Sequence, residues 1–193
     1  MAKRVEIIKK EIAFQKYIFT VEEVHLRHEL INGQMSDELI RLNLNRGDSV
    51  AALIHNPEND TILFTEQFRY ATHEKGPGWL LEVPAGMLEK DEDPRAAMQR
   101  ELIEEIGYSV ESLQHISTFY LSPGGTSERI HLFYARVNPK DKTSHGGGLE
   151  KEGEDIRTVI LSFEEARQKI VTGEIVDAKT IIGLQWLQLH PQS

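Results

Sequence analysis

Three glutamates, Glu101, Glu104 and Glu105, fall within five consecutive positions, and Arg100 directly precedes the first of them. On a helix, where each residue turns the chain by about 100°, these carboxylates share an arc of about 100°, while Met98, Leu102 and Ile106 line the neighbouring side. Like charges at this spacing repel, and a helix C-terminus is already the negative end of the dipole. Each such arrangement costs from a few tenths to about 1 kcal/mol, so a bound cation accounts for the trio better than indifference does. The chain contains no cysteine, which leaves oxygen and imidazole as metal donors. An all-oxygen site suits divalent magnesium, with manganese as the alternative. Arg100 can hold one carboxylate through a two-pronged pair and so orient it. Charge runs on helices are most often solvated faces, so the surroundings must decide.

Those surroundings form a pattern of 23 residues: Gly86, then Glu92, then Arg100-Glu101-Leu102, closing with Glu104-Glu105-Ile106-Gly107-Tyr108. The array resembles the Nudix box, the loop-helix-loop signature of the Nudix hydrolases, with each specified Gly, Glu and Arg present. Tyr108 stands where that pattern has an aliphatic residue, and an aromatic still fills an apolar slot. Further on, Ser122-Pro123-Gly124-Gly125-Thr126-Ser127-Glu128-Arg129 places Pro123 15 residues beyond Tyr108. That spacing, and the segment Ile182-Gly183-Leu184-Gln185-Trp186, resemble the ADP-ribose pyrophosphatase subgroup.

The resemblance implies magnesium- or manganese-dependent hydrolysis of the diphosphate of ADP-ribose, yielding AMP and ribose 5-phosphate. It implies that Glu101 and Glu105 hold the ion, that the main-chain carbonyl of Ala85 adds an oxygen, and that Glu104 acts directly or through a neighbour. In the loop Gly148-Leu149-Glu150-Lys151-Glu152-Gly153-Glu154-Asp155, it makes Glu152 the general base and Glu154 a metal or base-orienting partner, with Glu150 the fallback. Arg69 would contact the diphosphate, Glu128 a ribose hydroxyl, Arg41 the nucleotide end, and Pro123-Gly124 the substrate-side turn. Plain alternatives stand beside these roles: Arg69 paired with a surface carboxylate, residues 122–125 as a tight turn, and the acidic loop as a solvated one. The fold implied is an α/β/α sandwich with a mixed sheet over residues 48–193. Residues 1–47 form a small antiparallel β-unit that exchanges strands between the subunits of a homodimer. GDP-mannose and other nucleotide-sugar hydrolases share the same loop and the segment Thr172-Gly173-Glu174-Ile175. A non-catalytic ADP-ribose sensor is the competing class, and the intact set of carboxylates argues against it.

The elements that would position these groups can be read from turn chemistry. Asp93-Pro94 fits a helix N-cap followed by proline, and Gly107 fits the left-handed residue that ends a helix, which brackets a helix over 94–106. Strands are expected at Tyr17–His25 and Asp37–Asn45 about the turn Asn32-Gly33-Gln34, at Ser49–Ile54 and Thr61–Phe68 about Asn56–Asp60, and at Trp79–Pro84. Trp79, beside Leu80 and Leu81, reads as core. Tyr108–Tyr120 and Ile130–Val137 alternate like strands, and 138–155 is too long for an ordinary connection, which marks it as functional or mobile. A strand at Ile156–Leu161, a helix opened by Ser162 and closed by Gly173, and a last helix over Asp177–Leu189 complete the chain.

Composition narrows the field. Asp plus Glu at 31 against Lys plus Arg at 22 gives a net charge of −9, which speaks against a duplex-DNA binder. With no cysteine there is no disulfide framework. No apolar run has the length of a signal-peptide core or a membrane span, so the expectation is a cytoplasmic protein without nucleic-acid or membrane partners. The acidic run Glu89–Asp93 lacks the glycine and terminal glutamate of a calcium-binding loop, and no phosphate-binding or dinucleotide glycine motif occurs.

Overall fold

The computed structural model describes residues 3–191. By contact the chain divides into two units: residues up to Asp48 with Tyr120–Arg129, and Ser49–Phe119 with the residues from Ile130 onward.

In the first unit, β1 (Val5–Lys16), β2 (Phe19–His28) and β3 (Leu39–Asn45) form an antiparallel sheet in that order. The expected turn at Asn32–Gln34 is present: Gly33 has φ +83° and the Asn32 side chain accepts the Gln34 N–H. The strand expected to begin at Tyr17 begins at Phe19. Tyr17 takes a positive φ of 52° and, with Ile18, reverses the chain without any Gly or Asn to mark the place. Val5, Ile7, Ile12 and Phe14 on β1 are each more than half exposed. The Gly-rich turn also belongs to this unit, since Leu44 N–H donates to the Gly125 carbonyl at 2.8 Å and Leu44 O accepts from Ser127 at 3.2 Å.

The second unit holds β4 (Ser49–Asn56), β5 (Thr61–Phe68), α1 (Tyr70–His73), β6 (Trp79–Glu82), β7 (Ala85–Met87), α2 (Pro94–Ile106), β8 (Gln114–Tyr120), β9 (Arg129–Arg136), β10 (Arg157–Ser162), α3 (Phe163–Thr172) and α4 (Ala178–Leu189). Its sheet runs β10-β5-β4-β9-β8, and it is mixed, because β4 lies antiparallel to β5 and parallel to β9. Every residue of β4 is buried, as a central strand covered on both faces must be. Val50, Ala52 and Ile54 face Ala97, Met98, Leu102 and Ile106 of α2. Ala51 and Leu53 face Ala166 of α3 and Leu184 and Leu187 of α4. These two cores make the expected α/β/α layering. Among the described residues no helix is long and apolar enough to cross a membrane.

The strand pairing opens a place for a site. β4 pairs with β5 only through Ile54–Asn56, and near its other end it pairs with β7 at Ser49–Ala51. β5 in turn leaves β4 and pairs with β6 through Thr65–Phe68. Where β4 and β5 part, the connection Val83-Pro84 is held by a hydrogen bond from Ala52 N–H to Pro84 O at 3.0 Å. Ala85 and Gly86 are thereby fixed beside α2.

Two expectations fail here for local reasons. Of Tyr108–Tyr120 only Gln114–Tyr120 is strand. In the preceding stretch the backbone carbonyls bond to side chains of α2 in place of a ladder: Gln99 donates to Val110 O and Glu111 O, and Arg95 to Leu113 O. Trp79 is 47 % exposed rather than core, and its ring meets Phe68 edge-on at 5.9 Å.

α2 forms where its signals lie. Asp93 accepts the Arg95 and Ala96 N–H groups, and Gly107 closes the helix at φ +77°. Replacing Asp93 with Ala should lower stability by about 1 kcal/mol, and Leu102→Ala, at a fully buried position, by about 2–5 kcal/mol. Urea unfolding of the two variants checks both values.

Candidate active site

α2 buries its apolar side against β4 and turns its carboxylates toward the β6–β7 connection. Glu105 is only 3 % exposed, and its Oε2 accepts the Ala85 N–H at 3.0 Å. Burial is the main reason its pKa is pushed up to about 8; the Ala85 hydrogen bond and the charge of Arg69 oppose the rise, while Glu101 and Glu154 add to it. Glu101 is raised as well, first by burial and then by the charges of Glu104 and Glu154, with Arg100 opposing. Its carboxyl lies so close to Gly86 that a Cβ there would fall 1.9 Å from Glu101 Cδ. Gly86 is therefore the one residue that lets this side chain lie against β7.

Arg100 runs along the solvent side of the same face. Its Nη1 donates to Glu101 at 2.7 Å and to Glu104 at 3.2 Å, and its Nε and Nη2 form a two-pronged pair with Glu92, each at 3.3 Å. Among the described residues no three acidic or imidazole groups are placed to hold one metal ion, and the Arg100 guanidinium bonds to both Glu101 and Glu104. The donors nonetheless suit a divalent cation. They are all oxygen, and a glutamate forced toward its protonated form by burial, and secondarily by like charges, is relieved by positive charge.

The long loop is bound to the end of the same helix. Gly147 and Gly148 N–H groups donate to the carbonyls of Glu105 and Glu104 at 2.9 and 3.0 Å. Glu154 accepts the Leu149 N–H at 2.9 Å, and its charge is felt by both Glu101 and Glu105. Glu150–Glu152 forms a 3-10 turn; the side chain of Glu152 lies outside the described residues.

Arg69 follows β5 and is held by buried Glu82, with Nε and Nη2 each 2.8 Å from Oε2. Its partner is thus a core carboxylate, not a surface one. Ala85, Arg100, Glu101, Glu104, Glu105, Glu154 and Arg69 all lie in the second unit.

Arg41, Pro123, Gly124 and Glu128 lie in the first. There Arg41 is exposed on β3 and donates to its neighbour's carbonyl at 2.9 Å. Pro123 and Gly124 form the exposed tip of a turn closed by Gly125 N–H on Ser122 O at 3.1 Å. Glu128 is buried, 3.8 Å from the Arg46 guanidinium. Sequence reasoning passed over Lys179 and Glu82, which pair in the core at 2.9 Å; Lys179 as the one charged residue of α4 was the available signal. A cleft of about 840 Å³ lies elsewhere, lined by Arg136 and Lys140 but also by Glu111 and Asp141, so its charges offset one another.

The NUDIX domain model matches residues 45–181. The chain belongs to the NUDIX family. It is 40 % identical over 98 % of its length to the ADP-ribose pyrophosphatase of Escherichia coli, covering 90 % of that protein. It is 37 % identical to the GDP-mannose pyrophosphatase of Cronobacter sakazakii, with 98 % of each covered. A solved ADP compounds hydrolase shares the fold with a TM-score of 0.74 at 19 % identity, over 98 % of this chain and 97 % of that one. Members of this NUDIX subgroup generally depend on a divalent metal.

Two outcomes follow from the geometry. Gly86→Ala should reduce activity by about tenfold or more by displacing the Glu101 carboxyl, while the melting temperature stays within a few degrees. The second concerns pH. Unfolded, Glu105 releases its proton near the ordinary 4.5 and folded near 8, so in that window the folded chain holds one proton more. Its stabilising protonation is complete below the window and is lost as pH rises through it. Thermal melts in chelator from about pH 5.5 to about 8.5 should show a falling midpoint, and Glu105→Gln should flatten that fall.

Proposed function

We propose that this chain hydrolyses the diphosphate of ADP-ribose to AMP and ribose 5-phosphate, with magnesium as the working cation and manganese able to replace it. The observation that carries this reading is the buried Glu105 carboxylate anchored by the Ala85 N–H, with Glu101 laid against Gly86 under the same helix end. A cation bound there supplies charge to offset the diphosphate and makes water a better nucleophile. Glu101 and Glu105 hold it with the Ala85 carbonyl, and Glu104 assists.

The chain's own groups do the rest. Arg69 binds diphosphate oxygens through charge-assisted N–H bonds. Glu152 takes the proton of the attacking water, and Glu154, tethered to the Leu149 N–H, keeps that loop aligned with the carboxylates. Arg100 orients Glu101 and Glu104. In the first unit Arg41 contacts the nucleotide, Glu128 a ribose hydroxyl, and the Pro123-Gly124 turn the sugar side.

Residues 1–47 are proposed as the dimerisation unit of a cytoplasmic homodimer with exchanged strands, and 48–193 as the hydrolase domain. The exposed Val5, Ile7, Ile12 and Phe14 of β1 support a second copy as the cover. The likeness to a GDP-mannose pyrophosphatase supports a second substrate reading, since both compounds present the same diphosphate.

A side-by-side assay of ADP-ribose, GDP-mannose and other nucleotide sugars with magnesium should rank ADP-ribose first by kcat/KM. Glu105→Gln should lower kcat on the order of 100-fold or more, and Glu152→Gln should reduce it with KM little changed. Full turnover in Glu105→Gln would reject the metal role.

A further inference from the structure

Lys179 lies in the first turn of α4 and is only 8 % exposed, where an ammonium persists only with partners. Its Nζ donates to Glu82 Oε1 at 2.9 Å and to Asp177 Oδ1 at 3.0 Å. Glu82, 4 % exposed, gives its other oxygen to Arg69, whose Nε and Nη2 both reach Oε2 at 2.8 Å. One buried carboxylate thus divides itself between two cations, one on α4 and one at the end of β5.

The same turn of α4 reaches the connection that carries Ala85. Asp177 Oδ2 accepts the Thr180 N–H at 2.9 Å and its hydroxyl at 2.6 Å, and Thr180 Oγ1 accepts the Val83 N–H at 2.8 Å. Two acids and two bases balance in this cluster, so each buried charge has a counter-charge.

The division of Glu82 has a consequence for Arg69. A guanidinium facing a carboxylate with both oxygens free closes on it as a fork, two parallel N–H donors on two oxygens. Here Lys179 occupies Oε1, and Arg69 is confined to Oε2. We propose that Lys179 is a positioning residue: by holding Oε1 of Glu82 it prevents the closed fork and keeps the Arg69 guanidinium presented to the diphosphate of the substrate. This rests on the role given to Arg69 above.

A double-mutant cycle on ADP-ribose hydrolysis with magnesium tests it. Lys179→Met should raise KM by about tenfold with kcat within about threefold, because Arg69 retracts onto Glu82. Arg69→Ala should raise KM at least as much, and the double variant should be no worse than Arg69→Ala, since Lys179 acts only through that side chain. Lys179→Arg, which keeps the charge on Glu82, should recover most of the loss. An unchanged KM in Lys179→Met, or multiplied KM effects in the double variant, overturns the positioning role. An unchanged KM in Arg69→Ala overturns the Arg69 assignment itself and is recognised separately. If circular dichroism shows Lys179→Met unfolded, Lys179→Met/Glu82→Gln takes its place: with no carboxylate left for Arg69 to close on, a KM within about threefold of the parent supports the proposal, and a rise of about tenfold rejects it.

Discussion

The structure is organised around keeping carboxylates out of water at the C-terminal end of one helix. Burial pushes Glu105 and Glu101 toward protonation, and the helix dipole and neighbouring acids push the same way. Each surrounding feature answers that demand. The Ala85 N–H stabilises the charged form of Glu105, Arg100 spreads its donors over Glu92, Glu101 and Glu104, and Arg69 adds positive charge from the other side. None of these matches a buried acid one to one with a base. The remaining imbalance would favour a small doubly charged ion, since a fully paired site would have nothing left to gain from one.

The backbone at this end of α2 is handled with equal care. A helix leaves its last carbonyls without partners, and here a distant segment supplies them. Thr143 and Ser144 donate to Gly107 O, Gly147 to Glu105 O and Gly148 to Glu104 O. The approach is so close that a Cβ on Gly146 would stand 2.6 Å from Glu105 O, and Gly146, Gly147 and Gly148 all take positive φ. The segment that ends the helix is therefore also the segment that leads into Glu150–Glu154. The carbonyl cap leads straight into the loop acids, so the position of Glu154 is referenced to the backbone of Glu104 and Glu105.

Signals local in the chain were readable and long-range ones were not. Asp93-Pro94 and Gly107 bracket α2 because a cap and a terminator act within a few residues, and Ser162 and Gly173 do the same for α3. The acidic face followed from spacing alone. The irregular path of Tyr108–Leu113 was hidden because apolar alternation looks the same whether carbonyls meet a strand or the side chains of Gln99 and Arg95. Tyr17 hides a chain reversal because a tyrosine with positive φ leaves no trace in composition. Glu82 and Lys179 stand 97 positions apart, and only the packing of α4 on the sheet could pair them.

The carboxylate machinery and the choice of substrate are separable in physical terms. The groups proposed for the cation and the diphosphate lie on α2, at Ala85 and at Arg69, and ADP-ribose and GDP-mannose present a diphosphate alike. Charge of this kind cannot tell adenine from guanine, or ribose from mannose. Strong discrimination comes from buried polar groups that a wrong substrate would leave without partners, and such groups must touch the base or the sugar. The residues assigned to those ends, Arg41, Glu128 and the Pro123-Gly124 turn, belong to the unit that carries β1–β3 and not to the one that carries the carboxylates. The carboxylates alone therefore carry no information about base or sugar, and the chain is similar at nearly equal identity to proteins named ADP-ribose pyrophosphatase and GDP-mannose pyrophosphatase.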